Sequence, residues 1–90
     1  MNNSVFLSKS KFLKAISNAK RLEILCYIHD KELSVGTLEG LVHLTQSALS
    51  QHLGVLRKEK IVKTRRDAQT IYYTIDNKVV KDILNLLELC

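Results

Sequence analysis

Residues 45–75 read TQSALSQHLGVLRKEKIVKTRRDAQTIYYTI, and the pattern of apolar residues changes in the middle of this segment. Its first half repeats apolar residues with helical spacing, and its second half changes to the two-residue period of strands. This change predicts a helix that Thr45 caps and that continues to about Glu59. Two strands follow, residues 61–65 and 70–75, separated by residues 66–69, a length that suits a hairpin.

The predicted helix has two different faces. Its inner stripe is apolar and consists of Ala48, Leu49, Leu53 and Leu56. Its outer face carries short polar groups, amides and bases, and no acid between Gln46 and Lys58: Gln46, Ser47, Ser50, Gln51, Gly54, Arg57 and Lys58. Such side chains reach base edges and phosphates in a DNA major groove. An ordinary solvated face usually carries Glu and Lys, so the pattern favours groove binding. His52 lies nearer the inner stripe and is interpreted as mostly structural, with a phosphate contact as the alternative.

Upstream residues predict the helices that precede this one. Helical spacing predicts a first helix over residues 6–16 and a second over residues 19–29. Ser34 is a good N-cap for a short third helix through Leu38, Leu41 and Val42. Only His43 and Leu44 separate the third helix from the fourth. A short helix, a tight turn and a second helix form the helix-turn-helix pattern.

The last helix is expected to follow Asp76 as its cap and to run over residues 77–90. Its apolar stripe is wide: Val79, Val80, Ile83, Leu84, Leu86, Leu87 and Leu89. One small core cannot use so many apolar residues, so part of the stripe is predicted to pack on another chain. The fold class is therefore mainly α with a β-hairpin.

The positive charge is concentrated in one segment. Fourteen Lys and Arg against nine Asp and Glu leave a net charge of +5. Residues 57–66 alone hold six of the basic residues and one acid, so the remainder of the chain is neutral. Concentrated positive charge is typical of a polyanion partner, and a solvated charge run is the alternative. Lys63, Arg65 and Arg66 lie towards the hairpin tip, where a basic ribbon can contact phosphates.

Length and composition bound the remaining possibilities. Ninety residues, 46% of them hydrophobic, predict one globular domain over residues 1–90. No apolar run is long enough to span a membrane, and the N-terminus does not resemble a secretory signal. Two Cys are too few for a disulfide-rich scaffold, so a cytoplasmic protein is the default expectation.

The run LTQSALSQHLGVLRKEKIVKTRRDAQTIYYTI resembles the recognition helix and wing of the ArsR/SmtB family of bacterial winged-helix repressors. AISNAKRLEILCYIHDKELSVGTL resembles the helices before them, and together these stretches cover roughly residues 12–75. QSALSQHL with RRDAQTIYY is most similar to the subgroup that includes NolR, HlyU and BigR. Lys60 is a departure, because many members have Gly in this turn into the wing.

The resemblance implies a winged helix-turn-helix homodimer, joined through its first and last helices, that represses transcription from a palindromic operator in double-stranded DNA. By matching position, it implies that Gln46, Ser47, Ser50, Gln51 and His52 enter the groove. It places Arg65, Arg66 and Gln69 in the wing that contacts DNA.

The resemblance also bears on the signal that the protein senses. Many members of the family bind a metal. One of their metal sites uses a pair of Cys residues, but Ser34 and Gly36 stand at those positions here. Another metal site needs a His in the last helix, and this last helix has none. No metal and no cofactor is expected. Members of the subgroup carry one Cys in each of the two helices that hold Cys26 and Cys90, which implies a redox switch. A small buried Cys26 and an inert terminal Cys90 are the alternatives.

The leading hypothesis is thus a dimeric DNA-binding repressor. The alternative is a winged-helix interaction module, without thiol sensing, that binds a protein or RNA partner. An enzyme is the weakest hypothesis, because no catalytic constellation or Gly-rich phosphate loop stands out.

Overall fold

The computed structural model describes residues 2–90. Within these residues, five helices and three strands follow one another in the order α1 (Asn3–Ile16), α2 (Ala19–Tyr27), β1 (Leu33–Ser34), α3 (Val35–Val42), α4 (Gln46–Lys58), β2 (Val62–Asp67), β3 (Thr70–Ile75) and α5 (Lys78–Leu86). The predicted fold class is confirmed: α3 and α4 form the helix-turn-helix, and β2 and β3 form the wing.

Short polar side chains set where the helices begin. The side-chain oxygens of Ser34 and Thr45 accept the backbone N–H groups of Thr37 and Ala48, each at 3.1 Å, as predicted for α3 and α4. The predicted cap of α5 is wrong by one residue. Asn77 is the cap, because its Oδ1 accepts the N–H of Val80 at 3.1 Å.

The sheet contains one strand that the sequence did not predict. Its order is β1-β3-β2, and Leu33 and Ser34 of β1 pair with Tyr73 and Tyr72 of β3. Two residues are too few to show a period, so β1 carries no recognisable sequence signal. The hairpin loop is shorter than predicted, because Asp67 pairs with Thr70 and only residues 68–69 form the turn.

A single apolar core lies between the helices and the sheet. The inner stripe of α4 is confirmed for Leu49, Leu53 and Leu56, which are fully buried, whereas Ala48 is half-buried. They contact apolar side chains of the other elements, among them Ile24, Leu25, Ile28, Leu38, Val42, Ile61, Tyr73, Ile75, Val80 and Leu84. The core therefore fixes which face of α4 is turned outward.

The turn from α4 into the wing depends on a left-handed residue. Lys60 has a φ of 57°. The N–H of Ile61 donates to the carbonyl of Leu56 at 3.0 Å, and that of Lys60 donates to Arg57 at 2.9 Å. These bonds form the Schellman motif that usually has Gly at this position. Lys60 makes the same turn as Gly would, at a cost of roughly 1 kcal/mol.

The last helix ends earlier than predicted. It stops at Leu86, and Glu88 then takes a left-handed conformation with a φ of 55°. The N–H of Leu89 donates to the carbonyl of Leu84 at 3.3 Å, which closes a second Schellman motif. Residues 87–90 therefore form a turned tail outside the helix, and Cys90 is part of that tail.

Candidate nucleic-acid interface

The outer face of α4 is a strip of small polar side chains, the α4 strip, formed by Gln46, Ser47, Ser50 and Gln51. All four are exposed, because the buried leucines lie on the opposite side of the helix. They occupy the first two turns of α4, and the first of these turns is the positive end of the helix dipole, which attracts anions. The strip can therefore offer hydrogen bonds to base edges and phosphates together.

The second half of α4 differs from the prediction in one respect. Val55, which the predicted polar face left out, is 36% exposed. Arg57 is already committed within the protein: its Nη1 donates to the hydroxyl of Tyr73, and its guanidinium lies 5.9 Å from the centre of the Tyr73 ring. Arg57 therefore joins α4 to the base of the wing.

His52 is half-buried, near the α4 strip but not in it. Its Nδ1 lies 3.1 Å from Nη1 of Arg21 on α2. Burial lowers the pKa of His52, and the positive charge of Arg21 lowers it further. Arg21 was not predicted as part of the site, because the two residues are 31 positions apart and belong to different elements.

The wing carries its two adjacent arginines on opposite faces of the sheet. Arg65 pairs with Tyr72 across the hairpin and Arg66 pairs with Ile71, so their side chains alternate. Thr64, one position before Arg65 on β2, pairs with Tyr73, whose hydroxyl accepts from Arg57. Arg66 therefore lies on the sheet face that is turned towards α4, and Arg65 lies on the other face.

Arg65 is held by a carboxylate that the sequence did not bring to notice. Its Nε and Nη2 donate to Oε1 of Glu32 at 3.0 and 2.7 Å, and its guanidinium lies 4.5 Å from the centre of the Tyr72 ring. The hydrogen bond from Arg65 lowers the pKa of Glu32, and Glu32 in turn raises the pKa of Arg65. The charge of Arg65 is thus largely balanced inside the protein.

The other polar side chains of the wing make fewer contacts within the protein than Arg65 does. Over residues 2–90, Arg66 makes no side-chain hydrogen bond or ion pair. Gln69 is exposed in the two-residue turn beside Ala68, which has a φ of 57°. Lys63 lies 3.9 Å from Asp76, a loose contact between exposed groups. The wing therefore presents Arg66 and Gln69 most freely.

Cys26 and Cys90, which are 64 positions apart in sequence, form a disulfide with 5.3 Å between their Cα atoms. The disulfide occurs together with the early end of α5 at Leu86. In a helix that continued to Cys90, the direction of the Cys90 thiol would depend on the rotation of that helix. The turned tail instead brings the Cys90 thiol to α2. Beside the disulfide lies a groove of about 450 Å³, which is lined by Ala19, Leu22, Glu23, Cys26, Tyr27 and Leu89. The disulfide closes a large loop and ties the tail to α2.

A second surface is apolar and is formed by α1 and α5. Its large exposed side chains on these elements and the tail are Val5, Phe6, Leu7, Leu13, Val79, Leu86, Leu87 and Leu89. Leu86 is 82% and Phe6 is 56% exposed. Large apolar side chains that are left exposed in this number typically mark a surface that another protein chain covers. These are the two helices through which the family resemblance implied a dimer.

Two further findings concern metals and membranes. Residues 2–90 contain no group of three or more His, Cys, Asp or Glu side chains arranged to hold a metal ion. Of the three His residues, His52 lies in α4, whereas His29 and His43 lie just beyond the ends of α2 and α3. Within the same range, no helix is long and apolar enough to cross a membrane.

The family model for bacterial regulatory proteins of the ArsR type matches residues 18–64. The transcriptional activator HlyU of Vibrio cholerae is 52% identical over 75 residues, which cover 83% of this chain and 69% of HlyU. The nodulation protein NolR of Rhizobium meliloti is 53% identical over 76 residues, covering 84% of this chain and 62% of NolR. The biofilm growth-associated repressor of Xylella fastidiosa is 38% identical over 78 residues, which cover 87% of this chain and 68% of that repressor.

Solved structures give the same relationships. HlyU from Vibrio cholerae superposes with a TM-score of 0.86 at 46% identity, covering 97% of this chain and 94% of HlyU. A homodimeric winged helix-turn-helix DNA-binding domain from Mycobacterium bovis superposes with a TM-score of 0.86 at 22% identity. The match covers 99% of this chain and 85% of that domain. At that identity the second likeness concerns the fold.

Proposed function

Since the chain belongs to the ArsR family of bacterial regulatory proteins, we propose that it regulates transcription by binding a palindromic operator in double-stranded DNA as a homodimer. The α4 strip reads base edges, the wing contacts phosphates, and oxidation of Cys26 and Cys90 lowers the affinity for the operator. The observation that carries the proposal is the α4 strip, which is exposed, free of acids and directly continued by a basic wing.

The contacts with DNA divide between the two parts of this surface. Ser47 and Gln51 on α4 offer the hydroxyl and the amide that discriminate bases, because amides bind adenine in a bidentate manner. Arg66 and Gln69 on the wing contact the backbone, which raises affinity without selecting sequence. Arg65 supports the wing through Glu32 instead of contributing a full free charge.

A homodimer accounts for the apolar surface of α1 and α5. Burying an exposed leucine or phenylalanine contributes about 1.5–3 kcal/mol each, so this surface favours association. A two-fold axis would place two copies of α4 in successive major grooves, about 34–36 Å apart. The homodimeric domain from Mycobacterium bovis shares this fold and supports the same arrangement here.

The disulfide links the redox state to that arrangement. The two thiols lose two protons and two electrons to an oxidant such as hydrogen peroxide or a small disulfide, and the Cys26–Cys90 bond forms. The bond holds residues 87–90 against α2, so these residues cannot extend α5. Because α5 belongs to the proposed interface, its shortening changes the spacing of the two α4 helices. A bound dimer that covers a promoter represses it, and oxidation then releases the gene.

The redox part is tested by anisotropy titration of an operator duplex with reduced and oxidised protein. We expect the oxidised wild type to lose about 2 Da per chain and to bind at least about tenfold more weakly, a cost of about 1.4 kcal/mol. Cys26→Ser and Cys90→Ser, treated with the same oxidant, should keep the affinity of the reduced wild type. An oxidised wild type that binds as tightly as the reduced form would overturn the switch.

A further inference from the structure

Arg21 joins three helices through one side chain. It belongs to α2, and its Nε and Nη2 donate to the carbonyls of Ala15 and Lys14 at the end of α1. Its Nη1 lies 3.1 Å from Nδ1 of His52 on α4. The guanidinium therefore bridges the last turn of α1 and the helix proposed to read DNA.

This contact decides which ring nitrogen of His52 carries the proton. A guanidinium remains protonated and can only donate, so Nδ1 must accept and cannot itself hold a hydrogen. The pKa of His52 is lowered by burial and by the charge of Arg21, which keeps the ring neutral. In a neutral ring with an unprotonated Nδ1, the hydrogen is on Nε2.

The Nε2 atom of His52 has no partner within residues 2–90. No hydrogen bond joins it to any of these residues, yet it is not among the buried polar atoms that lack a partner. It therefore reaches the surface as an N–H donor, next in sequence to Gln51 of the α4 strip. A donor at this place fits an acceptor that comes from outside the protein, and a phosphate oxygen is the acceptor that DNA presents beside a groove-bound helix.

We infer that Arg21 is a positioning residue that holds His52 in its Nε2–H form, and that this N–H donates to a phosphate oxygen of the operator. Only the second half of this inference, the phosphate contact, rests on the proposed DNA binding. The first half, the Nε2–H form of His52, concerns the free protein and rests on the contact between Arg21 and His52.

The first half is tested by ¹⁵N NMR of the imidazole nitrogens in the free protein at neutral pH. We expect His52 of the wild type to be the Nε2–H tautomer. Arg21→Met should give a mixture of tautomers and raise the pKa of His52 towards its usual value. If Arg21→Met does not fold, Arg21→Lys replaces it with the same expected result, because a compact ammonium lacks the planar fork that reaches Nδ1 and both carbonyls. An Nδ1–H tautomer in the wild type would overturn the inference.

The second half is tested with two near-isosteric substitutions. The amide nitrogen of Gln lies near the position of Nε2, whereas that of Asn lies near Nδ1. His52→Gln should therefore bind the operator within about threefold of the wild type. His52→Asn and His52→Ala should both bind about tenfold more weakly on all sequences, because they lose a charge-assisted hydrogen bond. Equal affinity for the Gln and Asn variants would overturn the phosphate contact.

A double-mutant cycle separates positioning from general support of the fold. If Arg21 acts through His52, Arg21→Met should weaken binding in the wild type but add nothing in the His52→Ala background. An equal loss in both backgrounds would make Arg21 merely structural and overturn its positioning role. A wild type that is Nε2–H but binds no duplex at all would overturn the phosphate contact together with the proposed function, and leave the tautomer established.

Discussion

At the scale of single residues, two neighbouring arginines show what the sequence could and could not predict. Arg65 and Arg66 look equivalent in sequence, and both were predicted to contact DNA from the wing. Strand alternation already separates their faces, but the partner of Arg65 is Glu32, 33 residues away in sequence. A contact over that distance depends on how β1 joins the sheet, which two residues of strand do not reveal. The bidentate pair holds Arg65 and leaves Arg66 available.

Matched substitutions of these two arginines should separate their roles. Arg66→Ala should reduce the slope of log affinity against log salt by about one counterion. Arg65→Ala should reduce it by clearly less, because the charge that it removes is balanced by Glu32. Both slopes come from anisotropy titrations between low and moderate salt, with Glu32→Gln as the control for loss of the pair. A slope reduced as much by Arg65→Ala as by Arg66→Ala would place Arg65 on a phosphate.

At the scale of elements, the helices with strong caps and regular periods were predictable. Ser34 and Thr45 fixed the starts of α3 and α4, and the apolar stripe fixed which face of α4 is buried. The end of α5 was not predictable, since Leu87, Glu88 and Leu89 are good helix formers and nothing in the sequence marks a stop. The disulfide and the left-handed Glu88 end the helix instead, and both depend on tertiary contacts.

Gly54 offers a test of how closely DNA approaches α4. A Cβ at this position would meet only Nη2 of Arg57, at 3.5 Å, so the free protein has room for it. Gly54→Ala should raise the free energy of unfolding by about 0.5–1 kcal/mol, because Ala favours helix interiors over Gly. The same change should weaken DNA binding, since the added methyl group would hold α4 farther from the DNA.

Gly40→Ala is the matched control for this test. Gly40 lies in α3, and a methyl group added there would meet no atom within 4 Å, so Gly40→Ala should give the same gain in stability without a change in affinity. Denaturant unfolding and anisotropy titration measure the two quantities on the same samples. If Gly54→Ala bound DNA as tightly as Gly40→Ala does, close approach of DNA at this turn of α4 would be excluded.

At the scale of the whole molecule, the chain extends 45 Å along its longest axis and only 26 and 22 Å along the others. Much of α1 is exposed, with apolar side chains on its surface. The sequence predicted such a surface from the wide stripe of α5, but it could not show that α1 and α5 adjoin. Phe12 and Leu13 of α1 and Val79 and Ile83 of α5 line a common groove.

Charge placed in this groove should break the dimer. Val79→Lys should give a folded monomer, because Val79 is exposed in the single chain and its loss removes no core contact. DNA affinity should fall together with dimerisation, since two half-sites are then no longer bound at once. Leu41→Lys, a comparable change on α3, should leave the dimer intact. Sedimentation velocity gives the mass of each variant, and a dimeric Val79→Lys protein would exclude this surface as the interface.

Sequence-specific DNA binding by a two-fold dimer can be measured by selection from a pool of random duplexes with the full reduced chain. We expect enrichment of an inverted repeat whose half-sites are centred about one helical turn, roughly 10 base pairs, apart. Gln51→Ala, selected in parallel, should relax the preference at defined positions in each half-site. A wild-type selection that enriches no sequence, or only single half-sites without symmetry, would exclude sequence-specific binding by a two-fold dimer.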